Sequence, residues 1–150
     1  MSIATNKALI RRLMDEVVNA GNLDVIDEIV APGFINHNPL PGATPDRDGF
    51  RQAFRHLHAA FPDLHVIDTD LIGEGDRVVT LRGFEGTQDG PFMGVPPTGK
   101  SIVLDGMTVF RVVNGQIAER WGVLDMLGVM RQLGLLPDQT SREDIDAGSG

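Results

Sequence analysis

The apolar positions change their period along the chain, and each change marks an element. Leu9, Ile10, Leu13, Met14, Val17 and Val18 recur at helical spacing, with Gly21 placed for a left-handed cap. Asn22 opens a short second helix carrying Leu23, Ile26, Ile29 and Val30, which Pro32-Gly33 is predicted to end. Phe34-Ile35-Asn36-His37 is a short extended piece before a proline-rich loop. Thr44-Pro45-Asp46 then reads as cap, first-turn proline and dipole-complementing carboxylate of a third helix. That helix presents Phe50, Ala53, Phe54, Leu57 and Phe61 on one face, and Pro62 closes it.

Beyond Pro62 the pattern alternates like sheet. Strands are predicted over Leu64 to Leu71, Arg77 to Thr87, Ser101 to Val113 and Gln116 to Val123, with turns at Gly73 to Asp76 and at Asn114-Gly115. The stretch Asp89 to Gly99 is too rich in Gly and Pro for an element interior and is expected to form a lip or lid. A last helix runs from about Asp125 to Leu133 and stops at Gly134. Residues 1–137 are thus expected to form one domain and 138–150 a polar tail. The order predicts an α+β domain, with N-terminal helices packed on a curved, mainly antiparallel sheet. Gly83, Gly86 and Gly106 are expected to mark bends or bulges that curl the sheet into a cone, whose inside is a pocket.

Composition narrows the chemistry. A chain of 150 residues buries enough surface to hold a cavity. A net charge of −8 without a basic patch argues against nucleic acid or an anionic membrane as partner. No cysteine is present, so disulfides and thiolate chemistry are excluded. The start lacks a signal peptide's apolar core, and no apolar run approaches a membrane span, which suggests a cytoplasmic protein. The four histidines show no metal-ligand spacing, so no metal is expected. Pro96-Pro97-Thr98-Gly99-Lys100 lacks the order of a phosphate loop.

The ionisable candidates each have a structural alternative. Asp125 at the strand-to-helix junction is either a helix cap or a catalytic group. His37 is either a structural histidine or a base suited to neutral pH. In the last strand Glu119, Trp121 and Val123 share one face, and Arg120, Gly122 and Leu124 the other. Trp121 is expected as a core anchor or pocket wall. Arg82 and Arg120 are either solvated or paired arginines, or stabilisers of an enolate or carboxylate. Met93, with Met107, Met126 and Met130, suits an adaptable apolar lining or core filling. His56, His58 and His65 are expected at the surface or edge.

Several stretches together resemble the SnoaL-like polyketide cyclase family over roughly residues 5 to 136. They are Phe34 to His37, Gly86-Thr87-Gln88, Pro91 to Lys100, Asn114 to Ile117, Trp121 to Asp125 and Arg131 to Gly134. The resemblance implies a nuclear-transport-factor-2-like cone, a homo-oligomer (dimer or tetramer), an apolar small-molecule substrate and no metal or organic cofactor. It also implies an intramolecular aldol closure in which an Asp moves the proton. This chain departs from that pattern. The catalytic Asp falls on Gly122, a glutamine position on Gly106, and Gln88 stands where many relatives have His. Asn36 matches their pocket Asn, and Thr108 matches a polar position. The expected activity is therefore a cyclase or isomerase that works chiefly by folding its substrate, with pericyclic closure as an option and limited help from His37, Gln88 or Asp125. The alternatives are a binding module without turnover, or epoxide hydrolysis or hydroxylation in the same pocket.

Overall fold

Helix α1 (Ile3–Arg12) starts where the Ser2 hydroxyl accepts the Thr5 amide at 3.0 Å, and it runs directly into a widened π-helical stretch, Leu13–Asn19. A 3₁₀ turn (Leu23–Val25) and the single-turn helix α2 (Ile26–Ile29) follow. The computed structural model describes residues 2–136, so the expected tail lies outside the described residues. Pro32-Gly33 does not stop a helix. Val30 already belongs to strand β1 (Val30–Asn36), which pairs in parallel with the last strand and shifts register between Val30 and Ile35. An edge strand with a bulge tolerates the missing amide of proline, so Pro32 fits there.

Helix α3 (Arg47–Ala60) is capped by Asp46 rather than Thr44: the Asp46 carboxylate takes the Gly49 amide at 2.8 Å and the Thr44 hydroxyl at 2.6 Å. Its apolar face links the layers through edge-on rings. Phe34 of β1 meets Phe50 at 5.1 Å, Phe50 meets Phe54 at 5.0 Å, and Phe54 meets Phe84 at 6.1 Å.

Three of the four predicted strands are cut in two, while the last, from Gln116, stays whole. The chain forms β2 (His65–Val66), β3 (Leu71–Glu74), β4 (Arg77–Thr80), β5 (Phe84–Thr87), β6 (Ser101–Leu104), β7 (Gly106–Val113) and β8 (Gln116–Leu124). They make a five-stranded sheet in the order β1-β8-β7-β4-β3 and a three-stranded sheet in the order β2-β5-β6. All pairs except β1–β8 are antiparallel. Two strands therefore cross from one sheet to the other, at Gly83 and at Asp105-Gly106. A β-carbon on Gly83 would overlap the Leu104 carbonyl, and one on Gly106 would overlap that of Val123. Gly86 sits inside β5 against Phe61 and makes no bend. Asp105 fastens the two bends together, taking the Arg82 guanidinium at 3.1 Å and the amides of Gly83 at 3.3 Å and Gly106 at 3.0 Å. Those contacts, Arg82 foremost, hold its carboxyl below the ordinary range. Its stabilising contribution is thus present above an unfolded carboxyl's pKa and is lost as pH falls through the lowered one.

Asn114 and Gly115 take positive φ in the β7–β8 turn, as their residue types predict. Helix α4 (Met126–Gln132) follows β8, with Gly134 left-handed after it. The Gly- and Pro-rich loop docks on the end of α3, where Asp89 and Gly90 donate to the Ala60 carbonyl and Phe92 packs on Phe61. Gln88, fully buried, secures that loop: Nε2 donates to the carbonyls of Val95 (3.2 Å) and Pro96 (3.3 Å), and Oε1 accepts from the Thr98 hydroxyl (2.6 Å). Gln88→Leu leaves all three partners unmatched, so we expect a loss of about 1–3 kcal/mol of unfolding free energy in denaturant titration. A change within error would show that the loop does not depend on this amide.

Candidate active site

A cavity of about 120 Å³ lies between the helices and the concave sheet faces. The π-helical stretch contributes Leu13, Met14 and Val18, and α3 contributes Phe50, Ala53, Phe54 and Leu57. The expected cone is therefore lined by helix on one side and by bent sheet on the other.

The polar part of the lining is set by strand alternation and register. In β8, Arg120, Gly122 and Leu124 turn inward, while Glu119, Trp121 and Val123 turn away. Across the sheet, Arg120 lies beside Asn36 on one flank and Phe110 on the other. One step along, Gly122 lies beside Thr108, and Thr108 beside Thr80. Asn36, Thr80, Thr108, Arg120 and Gly122 thus form two adjoining rows facing one space.

Arg120 dominates that space. Its Nη1 donates to Asn36 Oδ1 at 3.1 Å and to the Asn38 carbonyl at 3.2 Å. Asn38 Oδ1 in turn accepts the Gly122 amide at 3.0 Å, and Asn36 Oδ1 also accepts the Asn38 amide at 3.1 Å. The clamp lays the guanidinium over Gly122: a β-carbon there would come within 2.5 Å of Nη2 and 2.8 Å of Cζ. The position that the resemblance aligns with a catalytic Asp is therefore covered by a cation. Burial pushes the Arg120 pKa down to about 10. Solvent still reaches part of the side chain, but most of its surroundings are protein, and the group stays charged at neutral pH. Among the described residues no carboxylate pairs with it. Arg82, the other arginine of the lining, is half-exposed and paired with Asp105 at 3.1 Å.

Asn36, Arg82, Thr108, Arg120 and Gly122, expected at the site, are thus brought together. The other expected residues stand apart from the cavity. His37 emerges on the opposite face, its imidazole donating to Glu119 at 2.7 Å and stacking on Trp121 at 4.7 Å. Arg77 lies over the same indole at 5.0 Å, so Trp121 belongs to an outer-face cluster. The His37 bond first, and then Arg111, holds the Glu119 carboxyl below its ordinary range. Asp125 caps α4 through the Gly128 amide at 2.9 Å. Gln88 is committed to the loop, and Met93 is an exposed loop residue with positive φ. The loop itself contributes no lining residue, so the expected lip or lid is a docked strap. Asn38 and Thr80 were not foreseen. Asn38 lies in the bend that follows β1, where its amide donates to Asn36 Oδ1 and its carbonyl reaches Arg120. Among the described residues no three His, Asp or Glu side chains converge as a metal site.

Gly122→Ala displaces only the tip of a flexible side chain, so thermal unfolding should stay within about 0.5 kcal/mol of wild type. The Arg120 Nε–H resonance should shift all the same. An unmoved resonance would mean that the guanidinium does not lie on Gly122.

Comparison with known proteins finds relatives of the sequence and of the fold. The family model "SnoaL-like polyketide cyclase" matches residues 8–133. The chain is 30% identical over 139 residues to aklanonic acid methyl ester cyclase DnrD of Streptomyces peucetius, covering 88% of this chain and 92% of that protein. It is 28% identical over 123 residues to nogalonic acid methyl ester cyclase of Streptomyces nogalater, covering 81% and 92%. The structure of TsrD from Streptomyces laurentii superposes with a TM-score of 0.80 at 30% identity, over 91% of this chain and 99% of that one. On the family match, the sequence relatives and the shared α+β cone, the protein belongs to the SnoaL-like polyketide cyclase family.

Proposed function

We propose that the protein closes a ring in a polyketide-like substrate by holding the chain folded in the Arg120 cavity, without a side-chain carboxylate to carry the proton. The observation behind this reading is the guanidinium lying over Gly122, where the family resemblance calls for an acid/base Asp. The titratable lining side chains among the described residues are Arg82 and Arg120, and neither is a base at neutral pH.

The chemistry can proceed with that set. In an aldol closure the enolate carbon forms a bond to a carbonyl carbon, the carbonyl π pair moves to its oxygen, and that oxygen takes up the proton lost on enolisation. A β-diketone unit enolises readily in water, so the step that needs the enzyme is folding. Pre-organisation in a close-fitting cavity is worth up to about 7–11 kcal/mol of barrier. A fixed cation beside the developing oxyanion adds electrostatic stabilisation where water is excluded. Pericyclic closure moves no proton and suits the same walls. Epoxide hydrolysis suits them less, because it needs an acid and a base flanking a water.

Aklanonic and nogalonic acid methyl esters are direct probes: ring closure by aldol addition changes retention on chromatography while leaving the mass unchanged. We expect Gly122→Leu, which fills the cavity and displaces Arg120, to slow closure by about 10²-fold or more. His37→Ala should stay within about threefold of wild type, and so should Asp125→Asn, which keeps the helix cap. With no His or carboxylate at the reacting centre, kcat should be flat from about pH 6 to about pH 8. The reverse pattern, with His37→Ala inactive and Gly122→Leu tolerated, rejects this reading.

A further inference from the structure

The two relatives named above are cyclases of methyl esters, whose esterified carboxyl group bears no charge. The cavity here is built for something else. A guanidinium has five N–H donors in a planar fork. Both hydrogens of Nη1 are used, on Asn36 Oδ1 and the Asn38 carbonyl. Nε and Nη2 donate to no described residue, and Nη2 is the nitrogen nearest the β-carbon position of Gly122.

Two neighbours share this readiness. Thr108 lies across from Gly122 and Thr80 across from Thr108, both in the lining, and neither hydroxyl is engaged by a described residue. Around them the walls are apolar: Phe110 beside Arg120, with Phe54 and Leu104 among the rest. A cation in such surroundings is unfavourable unless a counter-charge joins it. Arg12, Arg47, Arg51, Arg82 and Arg111 all have carboxylates at hand, while Arg120, in the cavity wall and partly withdrawn from water, has none among the described residues.

We propose that the ligand of this cavity supplies the missing charge as a planar oxyanion, a carboxylate or the enolate of a β-diketone, seated on Nε and Nη2 of Arg120 with the Thr108 and Thr80 hydroxyls beside it. Resting on the cavity as the reaction site, this makes the protein selective for an anionic ligand, a polyketide acid or an enolised β-diketone, over a neutral ester. The geometry suits the assignment, since a guanidinium edge matches two oxygens of one delocalised anion and such charge-assisted pairs are about twice as strong as neutral ones. An ester oxygen accepts a hydrogen bond but leaves the charge uncompensated. The clamp by Asn36 and Asn38 holds the fork in place before the ligand arrives, so little order is lost on binding.

Isothermal titration at neutral pH with naphthoate, methyl naphthoate and dimedone, which is an enolate at that pH, tests the proposal. Wild-type protein should bind at least one anion about tenfold or more tighter than the ester, which corresponds to about 1.4 kcal/mol. Whether naphthoate or dimedone is retained tells carboxylate from enolate. Arg120→Met should erase the preference, and so should Gly122→Asp, which sets an internal carboxylate against the guanidinium. Thermal melts establish that each variant is folded, and if Arg120→Met is not, Gly122→Asp against wild type decides. Equal binding of ester and acid, a preference that survives both variants, or no anion binding up to millimolar concentration overturns the proposal. Ring closure of methyl esters as efficient as that of the free acids, with dimedone bound no tighter than methyl naphthoate, rejects the anion selectivity and leaves the cyclase reading standing. Anion preference without any ring closure does the opposite.

Discussion

Close backbone contact at two glycines makes this cavity possible. At Gly83 and Gly106 the chain passes so near the Leu104 and Val123 carbonyls that no side chain fits, and there the strand pairs β4–β7 and β5–β6 part into two sheets. Asp105 holds the two crossings together through Arg82 and both amides. A flat sheet of the same residues would press its inner face onto α3 and leave no room. Because the sheet bends instead, the inward rows of β4, β7 and β8 stand clear of the helices, and polar residues on them face a space rather than a core.

Within that space the electrostatics follow from one missing atom. With no β-carbon at Gly122, the Arg120 guanidinium can lie down on β8 and be held there by Asn36 and Asn38. A carboxylate at this position would compete for the same volume and neutralise the same charge. Proton transfer from position 122 and an accessible cation beside it are therefore mutually exclusive arrangements, and this chain has the second. The outer face keeps its own ionic cluster of His37, Glu119 and Arg111 around Trp121, separated from the cavity by the thickness of the sheet.

Much of this was legible in the sequence, and the failures have physical reasons. Helix positions, the Asn114-Gly115 turn, the bends at Gly83 and Gly106 and the shared face of Arg120 and Gly122 follow from local period and residue type, whereas which face of β8 turns inward does not, and Trp121 was expected at the core or pocket wall for that reason. Val30 and Pro32 were misassigned because a bulged edge strand relaxes the rule that proline and glycine end an element. His37, Gln88 and Asp125 looked catalytic because titratability and hydrogen-bonding capacity are visible in sequence, whereas the side of a sheet on which a strand-end residue emerges is set by its partner strand. The pairing of Arg120 with Asn38 joins residues distant in the chain, and only the parallel β1–β8 pairing brings them together.

A crystal structure of the protein soaked with a polyketide acid tests the central claim most directly, because it locates the reacting group relative to both faces of β8. The ligand should occupy the cavity with an oxygen within about 3.2 Å of Arg120 Nη2 or Nε. A ligand seated instead against His37 and Trp121 on the outer face, with Arg120 untouched, would contradict it.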